Sequence, residues 1–479
     1  YRSGSDNEQD ATYGILDEAR LLRERFDRNT TGGGIMGSGD VTVGFKHVFQ
    51  PQRHELTVDF RLASGNLDTD SEWLRRYVMS NGQSVEWPTE FTINDIDGDN
   101  GNLSLQADYF RSLGARGRLD LGYRAWQREE SNDNRIDIFA SPVASFAQES
   151  MRAAYDYDEI FHSVYTTVSQ TQGKFNLQLG VRAELAGTNF RVPTTNEDFG
   201  HDYNSIFPSA NLAYTFGQGR TARLSYSKRI TRPVPFILNP HNPTADPLNL
   251  HRGNPYIDPM YTHSLSLDLS WIGQKGTLRA APYYRKTVDN WDQIRVVDEQ
   301  GVSTMTWENV ASLEVYGTSF TASLRPSTRW NGSANLSILH EQRDASNLSS
   351  DFAQNAWRWS ASFNGGYSIG RTLAATTNLR YTPSFTLLQG RSSGSFYSSL
   401  GLRQQLWGTK GSLSLLVNDP FDLYRFNFTT SDHTHVQTSR TTVKQRMATL
   451  SFTYNFGKPP QQNSRRQAEE SAAPATIIR

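Results

Sequence analysis

The chain has 479 residues, no cysteine and a formal charge of −1, from 48 basic and 49 acidic side chains. The absence of cysteine removes disulfide frameworks, zinc knuckles and thiol catalysis, and balanced charge with singly scattered basic residues offers no field for nucleic acid. No run of about 18 apolar residues occurs, which excludes a membrane-crossing helix, while a mean hydropathy of −0.61 suits a membrane wall only if half of each crossing segment is polar.

Residues 1–35 come first. Ile15, Ala19, Leu22 and Phe26 stand at helical spacing among charges that run from Asp17 to Arg25. The region is expected to be an extracellular loop, with a partner-binding helix or the two arms of a hairpin as its structured forms. Gly32-Gly33-Gly34 follows no strand and opens no helix, so it is not a phosphate cradle.

From about residue 36 to Phe456, short segments recur in which every second residue is apolar. Tyr261, His263, Leu265, Leu267, Leu269 and Trp271 alternate with Thr262, Ser264, Asp268 and Ser270; Leu450, Phe452, Tyr454 and Phe456 alternate with Thr449, Ser451, Thr453 and Asn455. Successive side chains of a strand point to opposite faces, so each segment has one apolar and one polar face. About 17 such segments of roughly 10 to 15 residues predict an all-β, antiparallel, up-and-down transmembrane barrel over 36–457. Aromatic residues, 12% of the chain, are sufficient for girdles at both membrane interfaces.

Connections alternate between short and long. Short Gly-rich turns such as Thr171-Gln172-Gly173, Gly217-Gln218-Gly219 and Gly273-Gln274-Lys275-Gly276 read as periplasmic; the long connections 67–100, 131–156, 189–205, 232–260, 290–312, 345–354, 385–394 and 430–440 read as extracellular. The first and last segments both run toward the periplasm, so the count is odd, whereas a closed barrel needs an even number. At least one earlier strand is therefore expected. The tail 458–479 lacks periodicity and is expected to be disordered in the periplasm.

One stretch carries a resemblance. Tyr226 to Pro235 leads through Arg232-Pro233 into a proline-rich loop that closes with Gly253-Asn254-Pro255-Tyr256-Ile257-Asp258-Pro259. This resembles the barrel of TonB-dependent receptors, in the outer-membrane β-barrel subgroup, and Gly173 to Glu184 and Leu413 to Phe426, with its Asn418-Asp419-Pro420-Phe421 interruption, look similar to it too. The resemblance implies a barrel of about 22 strands whose lumen holds an N-terminal plug. On that scheme the plug, its TonB-binding segment and about five strands lie outside this chain. It also implies TonB, the outer-membrane lipid and assembly machinery, and a nutrient such as a siderophore or glycan as partners, with no nucleic acid. The alternative is a passive channel, adhesin or structural barrel without a plug.

Catalytic constellations are weak, no cofactor is called for, and the chain is not expected to be an enzyme. Asp95, Asp97 and Asp99 resemble a calcium loop, but Asn100 and Gln106 stand where an EF-hand needs Gly and Glu. His433 and His435 could bind a transition metal only with a carboxylate such as Asp432. Trp73, Trp87, Tyr256, Trp291 and Trp307 lie in long connections and are candidates to stack on a planar or sugar-like ligand. Physically, the loop prolines fix φ and remove donors, so 232–260 is expected to fold over as a compact cap rather than extend the sheet.

Overall fold

The computed structural model describes residues 2–16, 22–78, 84–144, 146–241, 249–297, 302–348, 354–387, 390–408, 410–424, 426–431, 436–441 and 446–456. The wall opens with β1 (Arg2–Leu16), β2 (Leu22–Gln50), β3 (His54–Val78), β4 (Ser84–Leu113), β5 (Gly117–Phe139), β6 (Glu149–Gln172), β7 (Phe175–Val192), β8 (Glu197–Gly217) and β9 (Arg220–Thr231). A single helical turn, α1 (Pro235–Leu238), precedes β10 (Asn249–His251), β11 (Met260–Gly273), β12 (Gly276–Val297), β13 (Ser303–Leu324), β14 (Trp330–Asp344), β15 (Gln354–Ser368) and β16 (Leu373–Thr382). The chain continues through β17 (Phe385–Leu387), β18 (Gly390–Ser392), β19 (Ser395–Leu406), β20 (Gly411–Asn418), β21 (Phe426–Ser431), β22 (Val436–Thr441) and β23 (Met447–Tyr454).

Eighteen of these strands, β1–β9, β11–β16, β19, β20 and β23, form one antiparallel up-and-down meander in which each pairs with the next. The short β10 joins the same sheet in parallel, Asn249–His251 against Ser303–Met305. The remaining four, β17, β18, β21 and β22, make a separate small sheet from the last two long loops.

Strand β7 shows why the sequence folds this way. Phe175, Leu177, Leu179, Val181 and Leu185 share one face and are 41% to 62% exposed. In water such a surface would be an aggregation site; in a bilayer it is the lipid contact. From Phe175 to Leu185 is roughly 33 Å of strand, or about 25 Å along the membrane normal at barrel tilt, which matches the apolar band of this class. Aromatic pairs bracket the band. Phe175–Tyr214 and Tyr214–Phe216, with ring centroids 4.6 Å apart in each pair, lie by the short turns, and Tyr284–Tyr316 at 4.9 Å lies by the long loops.

Two expectations change. Residues 1–35 take the hairpin form rather than the helical one: β1 pairs with the first part of β2 from Arg2 opposite Gly37 to Leu16 opposite Leu22. Pairing of backbone N–H and C=O groups prevails there over a weak helical pattern, which adds an eighteenth strand to the sheet above the apolar band while the spanning count stays at 17. The long connections are likewise shorter than read, because hairpin arms such as β3 and β4 stay paired from Arg76–Thr89 down to His54–Arg111, well above the apolar band. Above the membrane both faces meet water, so the period-2 signal disappears while the ladder continues. Among the described residues, Ser38–Gln50 of β2 pair only with β3 and β23 pairs only with β20. The tail 458–479 and His433 and His435 lie outside the described residues.

Candidate functional site at the barrel mouth

Fully buried hydrophobic side chains are few, and the main cluster sits on the inner face at the long-loop end. Tyr157 of β6 lies on the side opposite the outward Ile160 and Val164 and is 1% exposed. It packs with Phe190 and Val192 of β7, Ile237 and Leu238 of α1, and Ile257; Trp291 and Trp307 lean against the cluster. The loop 232–260 therefore folds inward and docks on the inner wall. Its prolines have the effect expected from their chemistry: Pro235 stands in the first turn of α1, where a missing N–H costs nothing.

The segment Gly253 to Pro259 alternates in burial. Gly253, Pro255, Ile257 and Pro259 are buried, while Tyr256 and Asp258 are exposed. The Gly253 N–H donates to Asn239 O at 2.7 Å and the Asn254 N–H to Ile237 O at 2.7 Å, which clamps the end of the loop to α1. A Cβ on Gly253 would lie 2.5 Å from Ile237 O and 2.6 Å from Asn239 N, so this close approach requires glycine. The Asn254 amide donates to Trp307 O at 3.0 Å and its carbonyl accepts the Tyr256 N–H at 3.0 Å. The Asp258 N–H donates to the Asn309 carboxamide at 2.9 Å, and the Asn309 amide donates to Asp258 O and Asp289 O. His201 Nε2 donates to Pro255 O at 3.0 Å. The cap is thus fastened to β8 on one side and to β13 on the other.

Beneath it lies an ion-pair network. Arg232, the last residue before the prolines, reaches Glu184 at 2.8 Å and Glu159 at 3.4 Å. Arg182 also contacts Glu184 at 3.0 Å. The Glu159 and Glu184 side chains are 7% and 4% exposed and that of Arg232 16%, so two carboxylates and one guanidinium group share a site that the cap screens from water, with Arg182, 43% exposed, at its edge. The Arg232 guanidinium also lies over the rings of Phe161 and Tyr203.

The candidate aromatics separate in space. Trp291 and Trp307 form an edge-to-face pair at 5.8 Å against the cap, and Tyr256, 71% exposed, meets Phe199 edge-on at 5.6 Å. Trp73 stands apart on β3, with the Arg28 guanidinium 5.9 Å from its ring. The indole N–H groups of Trp73 and Trp291 are buried and have no hydrogen-bond partner among the described residues. Trp87 falls in β4, and its side chain lies outside the described residues. Asp95, Asp97 and Asp99 are exposed along one arm of β4, opposite Asp70 and Asp68 of β3 and Arg135 and Asp133 of β5. Among the described residues no group of three or more His, Asp or Glu side chains is arranged to hold a metal ion. Arg232, Glu159, Glu184, His201 and Asn309 are absent from the sequence reading as site residues; only the Arg232-Pro233 element hinted at one of them.

Residues 47–454 match the outer membrane protein beta-barrel family. The chain belongs to that family. As an outer membrane protein beta-barrel family member it resides in the outer membrane of a Gram-negative bacterium, and its fold is shared with solved TonB-dependent receptors. The copper transporter OprC is 14% identical, covers 90% of this chain over 74% of its own, and superposes with a TM-score of 0.55. The FrpB iron transporter from Neisseria meningitidis is 10% identical over 95% of this chain and 77% of its own, with a TM-score of 0.52. The ferric yersiniabactin uptake receptor FyuA from Yersinia pestis is 12% identical over 94% and 74%, with a TM-score of 0.52. These are transporters and receptors by name, not enzymes. No curated protein matches the sequence.

Proposed function

We propose that this barrel is the wall of a receptor that takes up a scarce or bulky nutrient by TonB-coupled transport, with the mouth as its capture surface. The observation that carries this reading is the cap, which is pinned to the inner wall from both sides at the long-loop end. A barrel with this many strands leaves an aqueous channel unless a plug occupies it, so this reading assigns control of passage to a plug domain. The metals and siderophore in the names of OprC, FrpB and FyuA suggest a metal chelate as the cargo. The exposed ring of Tyr256 is the group best placed to meet it.

Cells carrying the intact gene are the test. Uptake across a panel of labelled metal chelates and siderophores should fall to background in a strain lacking the gene and on addition of a protonophore. Uptake that survives the protonophore would support a passive channel instead.

A further inference from the structure

The lipid-facing wall has a broad apolar recess. Across β11 to β16 a trough of about 1000 Å³ is lined by Ala280, Ala322, Ala334 and Ala361, with Trp271 toward one side and Tyr381 toward the other. Register places these residues on the outward face: Leu269 sits opposite Ala280, and Leu269 belongs to the exposed row of β11 with Leu265 and Leu267. Ala322 and Ala334 are direct cross-strand neighbours. Small side chains in adjacent strands, between rows of Leu and aromatic residues, are what opens a hollow in an otherwise full apolar band.

Arg220 lies at the short-turn end of the trough, directly opposite Trp271 in the ladder. It is exposed and has no ion pair among the described residues, whereas Arg279, on the inner face of β12, is paired with Asp268. The surroundings share its sign. Seven of the eight short turns between wall strands contain a Lys or Arg, from Arg53 in the first to Lys410 in the last; in the remaining one, Gln218-Gly219, Arg220 is the next residue. None of the eight contains Asp or Glu. A continuous basic rim at the membrane surface attracts anionic headgroups, and here it meets an apolar recess within reach of an unpaired guanidinium.

We propose that this trough holds one anionic diacyl phospholipid of the periplasm-facing leaflet, with its acyl chains along Ala280, Ala322, Ala334 and Ala361 and its phosphate on Arg220. Charge complementarity selects this occupant over a zwitterionic lipid, and the position of Arg220 at the short-turn end selects the periplasmic leaflet over the outer one. The site does not depend on transport, because it lies on the opposite face of the wall from the cap.

The test uses protein extracted from outer membranes in mild detergent and native mass spectrometry with added phosphatidylglycerol or phosphatidylethanolamine. Wild type should bind one phosphatidylglycerol and prefer it about fivefold over phosphatidylethanolamine, the factor expected of one added surface cation. Arg220→Gln should bring that preference close to one. Filling the trough with Ala322→Phe and Ala334→Phe should abolish retention of both lipids, with heat-modifiable gel mobility reporting that the barrel has formed. An unchanged preference in Arg220→Gln, or equal retention in a folded trough-filled variant, would overturn the proposal. So would a dimer that the Phe substitutions dissolve, since the trough would then be an interface between copies. Where the Phe variants fail to fold, Arg220→Gln alone decides.

Discussion

The wall and the cap solve the problem of apolar side chains in opposite ways. In β7 the Leu and Phe row faces outward and remains 41% to 62% exposed, because lipid completes its environment. In the cap, Ile237, Leu238 and Ile257 are 2% to 4% exposed, as in any water-soluble core. The wall takes its order from a repeating ladder and tolerates many substitutions of like polarity. The cap takes its order from single contacts, Gly253 against Ile237 O and Asn254 against Trp307 O, and tolerates few. A membrane barrel can thus carry, inside its mouth, a small core governed by the rules of soluble proteins.

Substitutions can break this contrast at either end. The largest effect is expected beneath the cap: Glu184→Ala leaves the screened Arg232 with Glu159 as its remaining carboxylate and leaves Arg182 unpaired at the edge, a loss of about 3 kcal/mol, the low end for one partner of a buried pair. The checking measurement is limited proteolysis within 232–260, which should accelerate while the barrel keeps its folded gel mobility. On the wall, Leu179→Arg places a cation on the lipid face near mid-band and should cost roughly 2 to 4 kcal/mol. Its neighbour Gln178, which faces inward, should accept Arg with little change; reversible unfolding in lipid vesicles compares the two. Asn254→Ala removes the bonds to Trp307 O and from the Tyr256 N–H, a loss of about 1 to 2 kcal/mol, and should loosen the cap without exposing the ion pairs. Susceptibility of Trp307 to oxidative footprinting would register it.

The smallest effect is a pH dependence at the cap's edge. Hydrogen bonds from Thr195 and then His241 hold the Glu197 carboxyl below the usual carboxylate range. A group depressed in the folded state contributes above its ordinary pKa and loses that contribution as pH falls through the folded value. Hydrogen exchange around His241 should therefore quicken in acid, and Glu197→Gln should flatten the profile. A profile unchanged by that substitution would assign the acid sensitivity elsewhere.

The degree to which sequence foretold structure follows the same division. In the apolar band, alternation in segments such as Tyr261 to Trp271 announced both the strands and the face each would turn to lipid, since one solvent lies on each side. Above the band that signal fades: β1 and the first half of β2 carry polar residues on both faces, and only pairing reveals them as strands. At the mouth, the proline pattern foretold a cap but not its anchors. Arg232 meets Glu184 across 48 residues of chain and Asn254 meets Trp307 across 53. Neither partner is marked by local spacing, because adjacency arises only when the sheet curls and brings β7, β9 and β13 around one loop. Trp291 and Trp307 were legible as loop aromatics, yet their role as packing against the cap depends on that curvature.

The connectivity of the wall also orders events in time. Because each spanning strand pairs with the next along the chain, the meander can grow hairpin by hairpin with short loop closures, the sort of local contact that forms early. The loop 232–260 cannot follow that schedule. Its seat on β6, β7 and β8 lies behind it, but its bonds to Trp307 O and Asn309 lie on β13 ahead of it, so it is fully fastened only when strands made later than itself are in place. The cap of this barrel therefore sets later than the strands that flank it, and a chain stalled before β13 would hold its central loop fastened on one side alone.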